Sequence, residues 1–114
     1  MVDLLERART NDWNILIPAA VIGEVWRGPR TDPLIARLFN AVNGFPALDR
    51  ACALRVGEIL AHAGLPGGSH IVDGSVVDTA IRLGPGLIAT SDPVDLRKLL
   101  AVSGIRVRVE IYAV

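Results

Sequence analysis

Three acidic residues stand where apolar stretches give way to helix-forming ones: Glu24 in AVIGEVWRG, Asp73 in IVDGSVVD and Asp92 in ATSDP, with Asp95 three positions beyond the last. Ligands of a parallel α/β sheet gather at the carboxyl ends of its strands, where loops enter helices. Carboxylates drawn together there repel one another and raise one another's pKa. A hard divalent cation resolves the repulsion, because Mg2+ takes oxygen ligands and keeps several of its waters. Such an ion activates a water and neutralises the charge that develops on a phosphodiester. By this route a chain with no catalytic histidine or cysteine can hydrolyse a polyanion.

Each acid also has a purely structural reading. Asp92 before Pro93 is a standard helix N-cap arrangement, and Asp73 could cap a helix in the same way. Glu24 could be a surface residue near Arg27, although Val21, Ile22, Val25 and Trp26 leave its helix little polar face. Asp73 and Asp78 are five apart, a rotation of about 500° on a helix, which leaves them about 140° from a common direction. Asp78 is therefore expected outside the site, capping or pairing with a neighbour such as Arg82 at i+4. Asp92 and Asp95 share a face, so Glu24, Asp73 and Asp92 form the core set with Asp95 accessory. Thr90 and Ser91 offer hydroxyls to orient a carboxylate or a bound water, or simply to bond within their loop.

Other residues carry less. Arg27, Arg30, Arg97 and Lys98 flank the acids and could meet phosphates, but any one of them alone reads as solvated charge. His62 near a helix end reads as structural. His70 lies in a loop near Asp73, either supporting the site or simply exposed. Cys52 is most simply core, and Trp13 and Trp26 either pack or help form a partner surface.

The elements that must position these residues follow from periodicity and punctuation. Helices are predicted over Asp3 to Thr10, Pro18 to Arg27 and from Asp32-Pro33 to Asn43-Gly44. Further helices run from Asp49 to Gly64, Asp73 to Leu83 and Asp92-Pro93 through Val102. Strands are predicted at Asn14 to Ile17, Phe45 to Leu48, Gly86 to Thr90 and Ile105 to Val114, the last alternating apolar and charged residues like a sheet edge. Leu65 to His70 (LPGGSH) reads as a loop. Strands separated by helices imply an α/β sandwich with a largely parallel sheet. No repeat or linker divides the 114 residues, so one domain over 1–114 is expected.

Composition bounds the partners. The chain is 51% hydrophobic but only 4% aromatic, an aliphatic mix that excludes a disordered chain. Twelve basic and twelve acidic residues cancel, so a polyanion must be held by a local patch or a metal. A single cysteine excludes an intrachain disulfide and a thiolate zinc cluster. With no apolar run near the ~18 residues of a membrane span and no secretory signal, a soluble, cytoplasmic domain is expected.

Taken together, IPAAVIGEVWRG (Ile17–Gly28), VDGSVVDTAIRL (Val72–Leu83) and LIATSDPVDLRKLL (Leu87–Leu100) resemble the PIN-domain family of metal-dependent ribonucleases, particularly the VapC-like toxins of toxin–antitoxin pairs. TSDP is the most specific part, and the nineteen positions from Asp73 to Asp92 match the family's helix-then-strand spacing, whereas the fourteen from Asp78 do not. The resemblance implies a PIN-like three-layer α/β/α sandwich with a mostly parallel central sheet. It further implies Mg2+ or Mn2+ held by Glu24, Asp73, Asp92 and Asp95, the first three being catalytic, with Thr90 and Ser91 supporting. RNA would be the substrate, a cognate VapB-like antitoxin would block the acidic site, and homodimers would be common.

One departure matters. The family opens with a strand ending in its first catalytic Asp, whereas this sequence reads at Met1 as already inside the following helix, VDLLERA, and Asp3 does not fill the role. A late-assigned start and a real truncation are the two explanations, and the 114-residue form is expected to be weakly active or inactive. The alternative is a non-catalytic PIN-like module that binds an antitoxin or another protein through Trp13, Trp26 and its apolar helices. A receiver-type phosphoacceptor is the weaker third, because the acidic pair its first strand requires is absent.

Overall fold

Proline and aspartate punctuate the helices as the sequence leads one to expect. The computed structural model describes residues 2–90, 93–103 and 109–113, with side-chain environments for 6–90 and 93–103. The chain divides into two compact units, Met1–Pro46 and Ala47–Val114.

The first unit holds α1 (Val2–Thr10), α2 (Ala19–Val25), a single 3-10 turn at Gly28–Arg30, and α3 (Pro33–Ala41). Asp32 caps α3, its carboxylate accepting the Leu34 N–H at 2.8 Å, with Pro33 at the first helical position. The strand expected at Asn14–Ile17 shrinks to one parallel bridge, Leu16 with Gly44, and Phe45–Leu48 forms no strand. Ile17 N–H still donates to Gly44 O and Asn43 N–H to Ile15 O. Ala19 N–H donates to Pro46 O at 2.8 Å, and the pairing ends there because α2 begins at Ala19. Only Ala8 and Pro18 are buried among this unit's described side chains.

The second unit contains the core. It runs α4 (Arg50–Ala63), α5 (Gly67–Leu83), β1 (Gly86–Thr90), α6 (Pro93–Val102) and β2 (Val109–Ala113). Asp49 caps α4 by accepting the Cys52 N–H at 2.9 Å, and Gly64 ends it at φ +68°, a left-handed position that suits glycine. α5 begins at Gly67, inside the stretch expected to be a loop, despite two glycines that each cost about 1 kcal/mol in a helix. Gly67 and Gly68 are themselves exposed, and the body of α5 lies against α4 with Val56, Leu60 and Val77 buried at the contact. Gly74 makes that contact close, since a Cβ on it would stand 2.6 Å from Val56 Cγ1. Leu96 and Leu99 of α6 and Ile88 of β1 complete the cluster.

β1 and β2 pair in parallel, Gly86 opposite Val109 through Thr90 opposite Ala113. The remainder of the strand expected over Ile105 to Val114 lies outside the described residues.

The expected three-layer α/β/α sandwich with a mostly parallel central sheet is corrected by this architecture. The described residues are predominantly helical, and their only sheet is the two-stranded β1–β2 ladder. Of the four apolar stretches with strand-like composition, Asn14–Ile17 gives way to α2 at Ala19 and Phe45–Leu48, interrupted by Pro46, forms no strand. No described helix is long and apolar enough to cross a membrane.

Candidate functional site

α5 carries acids in two quite different settings. Asp78, in its second half, is buried. Arg55 Nε donates to its Oδ1 at 2.7 Å, while Arg55 Nη2, Arg82 Nε and the Cys52 thiol donate to Oδ2 at 3.3, 2.9 and 3.0 Å. Burial alone would push this carboxyl up, but the hydrogen bonds from Arg55, Cys52 and Arg82 outweigh it and hold Asp78 below the usual carboxylate range. Cys52 shifts the other way, its thiol raised first by burial and then by Asp78 beside it. Asp78 is thus saturated by protein donors, in agreement with the helix geometry that sets it apart from Asp73 and pairs it with Arg82.

Asp73 belongs to the other setting. It does not open a helix, as a capping residue would, but lies six positions inside α5, where it is half-buried. That removes the N-cap account of Asp73. One turn before it on the same helix is His70, whose Nε2 lies 3.3 Å from Oδ2 of Asp95 in the first turn of α6. Positions three apart on a helix share a face, so this ion pair brings the first turn of α6 towards the side of α5 that bears Asp73. β1 ends at Thr90, also half-buried, and α6 begins at Pro93. Ser91 and Asp92 lie outside the described residues. Among the described residues, which therefore exclude Asp92, no three His, Cys, Asp or Glu side chains form a metal-holding group.

His70 itself is part of a helix rather than a loop, with Nδ1 3.2 Å from Pro66 O and 3.1 Å from Ser69 Oγ. Nothing in the sequence signalled the partnership with Asp95, 25 positions away, because His70 reads there as a loop residue near Asp73. The Asp78 cluster was half legible: Asp78 and Arg82 are spaced at i+4, but Arg55 and Cys52 join them only through the packing of α4 on α5.

In the first unit Glu24 is exposed on α2. Arg27 turns back on the same helix, its Nη1 donating to the carbonyls of Trp26 at 2.7 Å and Gly23 at 3.4 Å, so it satisfies the helix end. Trp26 stacks on Phe39 at 6.0 Å, and Phe45 meets Phe39 edge-on at 5.6 Å. Trp26 remains 46% exposed and Phe45 39%, so much of this aromatic cluster faces outwards. Trp13 is likewise exposed. His62 Nδ1 lies 2.8 Å from Glu58 O, a contact within its own helix. Arg30, Arg97 and Lys98 are exposed.

Comparison of the chain with protein-family models, curated proteins and solved structures finds no match.

Proposed function

We propose that the second unit bears the carboxylates of a Mg2+-dependent ribonuclease of the VapC-like kind, with Asp73 and Asp92 as principal donors, Asp95 beside them, and Thr90 and Ser91 supplying hydroxyls. The observation that carries this reading is the His70–Asp95 contact, which sets the first turn of α6 against the helix that bears Asp73 one turn further on. The donor chemistry fits a hard ion. Asp73 and Asp95 are half-buried carboxylates, while the one thiol and the buried Asp78 are committed to each other and to two arginines. A bound Mg2+ supplies Lewis acidity towards a phosphodiester and lowers the pKa of water. The chain's own part is to hold negative oxygens in fixed directions, Asp95 from the first turn of α6 and Asp73 from within α5.

Because the 114-residue form is expected to be weakly active at best, the test is cleavage of a structured RNA with Mg2+ by the chain restored at its N-terminus with a strand ending in Asp. Cleavage that stops with EDTA and falls about tenfold or more in Asp73→Asn and in Asp92→Asn is the expected result. Equal cleavage by the chain and its Asp92→Asn variant overturns the assignment.

A second reading, a non-catalytic module that binds a protein partner, is favoured by one separate observation, the outward-facing Trp26–Phe39–Phe45 cluster of the first unit. Exposed aromatics are enriched at the energetic centres of interfaces. On this reading, co-expression with the product of a neighbouring small reading frame should give a complex that survives EDTA and Asp73→Ala but weakens about tenfold or more in Trp26→Ala. A complex lost on chelation counts against it.

A further inference from the structure

We propose that Arg55 and Arg82 form a binding site for a phosphate group at the solvent edge of the α4–α5 contact, independent of the metal-site reading and of any metal. The observation is an imbalance in the Asp78 cluster. Its acceptor is spent: Oδ1 takes Arg55 Nε at 2.7 Å, and Oδ2 takes Arg82 Nε at 2.9 Å, the Cys52 thiol at 3.0 Å and Arg55 Nη2 at 3.3 Å. The donors are not. Arg55 Nη1 and both terminal nitrogens of Arg82 have no acceptor among the described residues, and the two side chains stay 43% and 33% exposed.

Burying Asp78 does not require both arginines, because Arg55 alone reaches each of its oxygens. Arg82 therefore adds a positive charge that the cluster itself leaves unbalanced. The Cys52 thiol does not offset it, since burial and the neighbouring Asp78 push its pKa up and keep it neutral. Asp49 is the other acid that acts on Arg55. Its carboxylate already accepts the Cys52 N–H, and Arg50 beside it in sequence is exposed.

Geometry selects the anion. Arg55 Nη2 and Arg82 Nε meet the same oxygen, at 3.3 and 2.9 Å, so two planar forks from different helices are close neighbours. One fork satisfies both oxygens of a carboxylate, whereas a phosphate offers a third oxygen and can accept from two forks at once. Asp78 holds each fork by its Nε in advance. Much of the side-chain freedom that binding would otherwise remove is thus already lost on folding.

The experiment is titration of the full chain with inorganic phosphate, followed by phosphorus nuclear magnetic resonance, with the folding of each variant checked by its urea midpoint. Saturable binding is expected, weakened about tenfold in Arg82→Gln, the worth of one charge-assisted hydrogen bond. Arg9→Gln, which removes an exposed arginine of α1, should leave it unchanged. Arg82→Lys keeps the charge beside Asp78 but not the fork and should weaken binding about threefold. It carries the test if Arg82→Gln does not fold. A single-stranded oligoribonucleotide without terminal phosphates is the second probe. If it displaces the bound phosphate, the site takes a phosphodiester of RNA; if phosphate binds and the oligonucleotide does not displace it, the site takes a free phosphate group. Absence of saturable phosphate binding, or equal weakening by Arg82→Gln and Arg9→Gln, overturns the proposal.

Discussion

Asp78→Ala should destabilise the chain by about 2–3 kcal/mol, read as a lower urea midpoint with little change in slope. The substitution removes the acceptor for Arg55, Arg82 and the Cys52 thiol at once and leaves a small cavity under α5. Breaking a buried ion pair typically costs about 3–5 kcal/mol when the orphaned charge cannot reach water. The two guanidinium groups here are 43% and 33% exposed, so they can turn outwards and recover part of that cost. The pH dependence carries a definite sign. The Asp78 carboxyl sits below its ordinary value in the folded chain, so its contribution is whole above about pH 4, where the unfolded carboxyl titrates. It then drains away as the pH falls through the lower folded value. The stability gap between the native chain and Asp78→Asn should accordingly narrow as acid is added below about pH 4. A gap that stays constant into strong acid would show that the paired carboxylate is not its source.

Gly74→Val should cost about 3 kcal/mol, and Gly74→Ala about 1. A Cβ at position 74 would meet Val56 Cγ1 at 2.6 Å, and Val56 is a stiff, β-branched side chain, 1% exposed, with nowhere to swing. Alanine gains about 1 kcal/mol of helix propensity over glycine, which offsets part of the overpacking. Valine adds two more methyl groups and loses most of that gain. The check is a double-mutant cycle: Val56→Ala should be far less costly in the Gly74→Ala background than in the native one. Additive effects would mean that the helices can separate there at little cost.

Both positions also mark where sequence reasoning stops. Helix ends at Asp32-Pro33, Asp49 and Gly64 are legible because caps act within a few residues, and β1 is bounded correctly because Gly86 and the Thr90–Pro93 step punctuate it. The start of α5 is misread, since Pro66-Gly67-Gly68 carries every local mark of a loop, yet the helix extends back over these exposed residues from a body buried against α4. The central sheet is misread for a related reason. Asn14–Ile17 has the composition of a buried strand, but composition does not register how short its pairing with the 43–46 stretch is before α2 opens at Ala19. As for the candidate site, helix rotation separates Asp78 from Asp73 in advance, because that argument needs only the backbone. The His70–Asp95 contact joins residues 25 positions apart and could not be read from local pattern.

The clasp at Asp78 has a mechanical consequence further along α5. One carboxylate bonded to Arg55 of α4 works as a key in a keyway, so turning α5 about its long axis works against that bond. Asp73 is built on the same helix, so under the metal-site proposal its bearing would be inherited from a residue outside the site. Loosening the key should blur the aim of Asp73 even where every candidate ligand is intact.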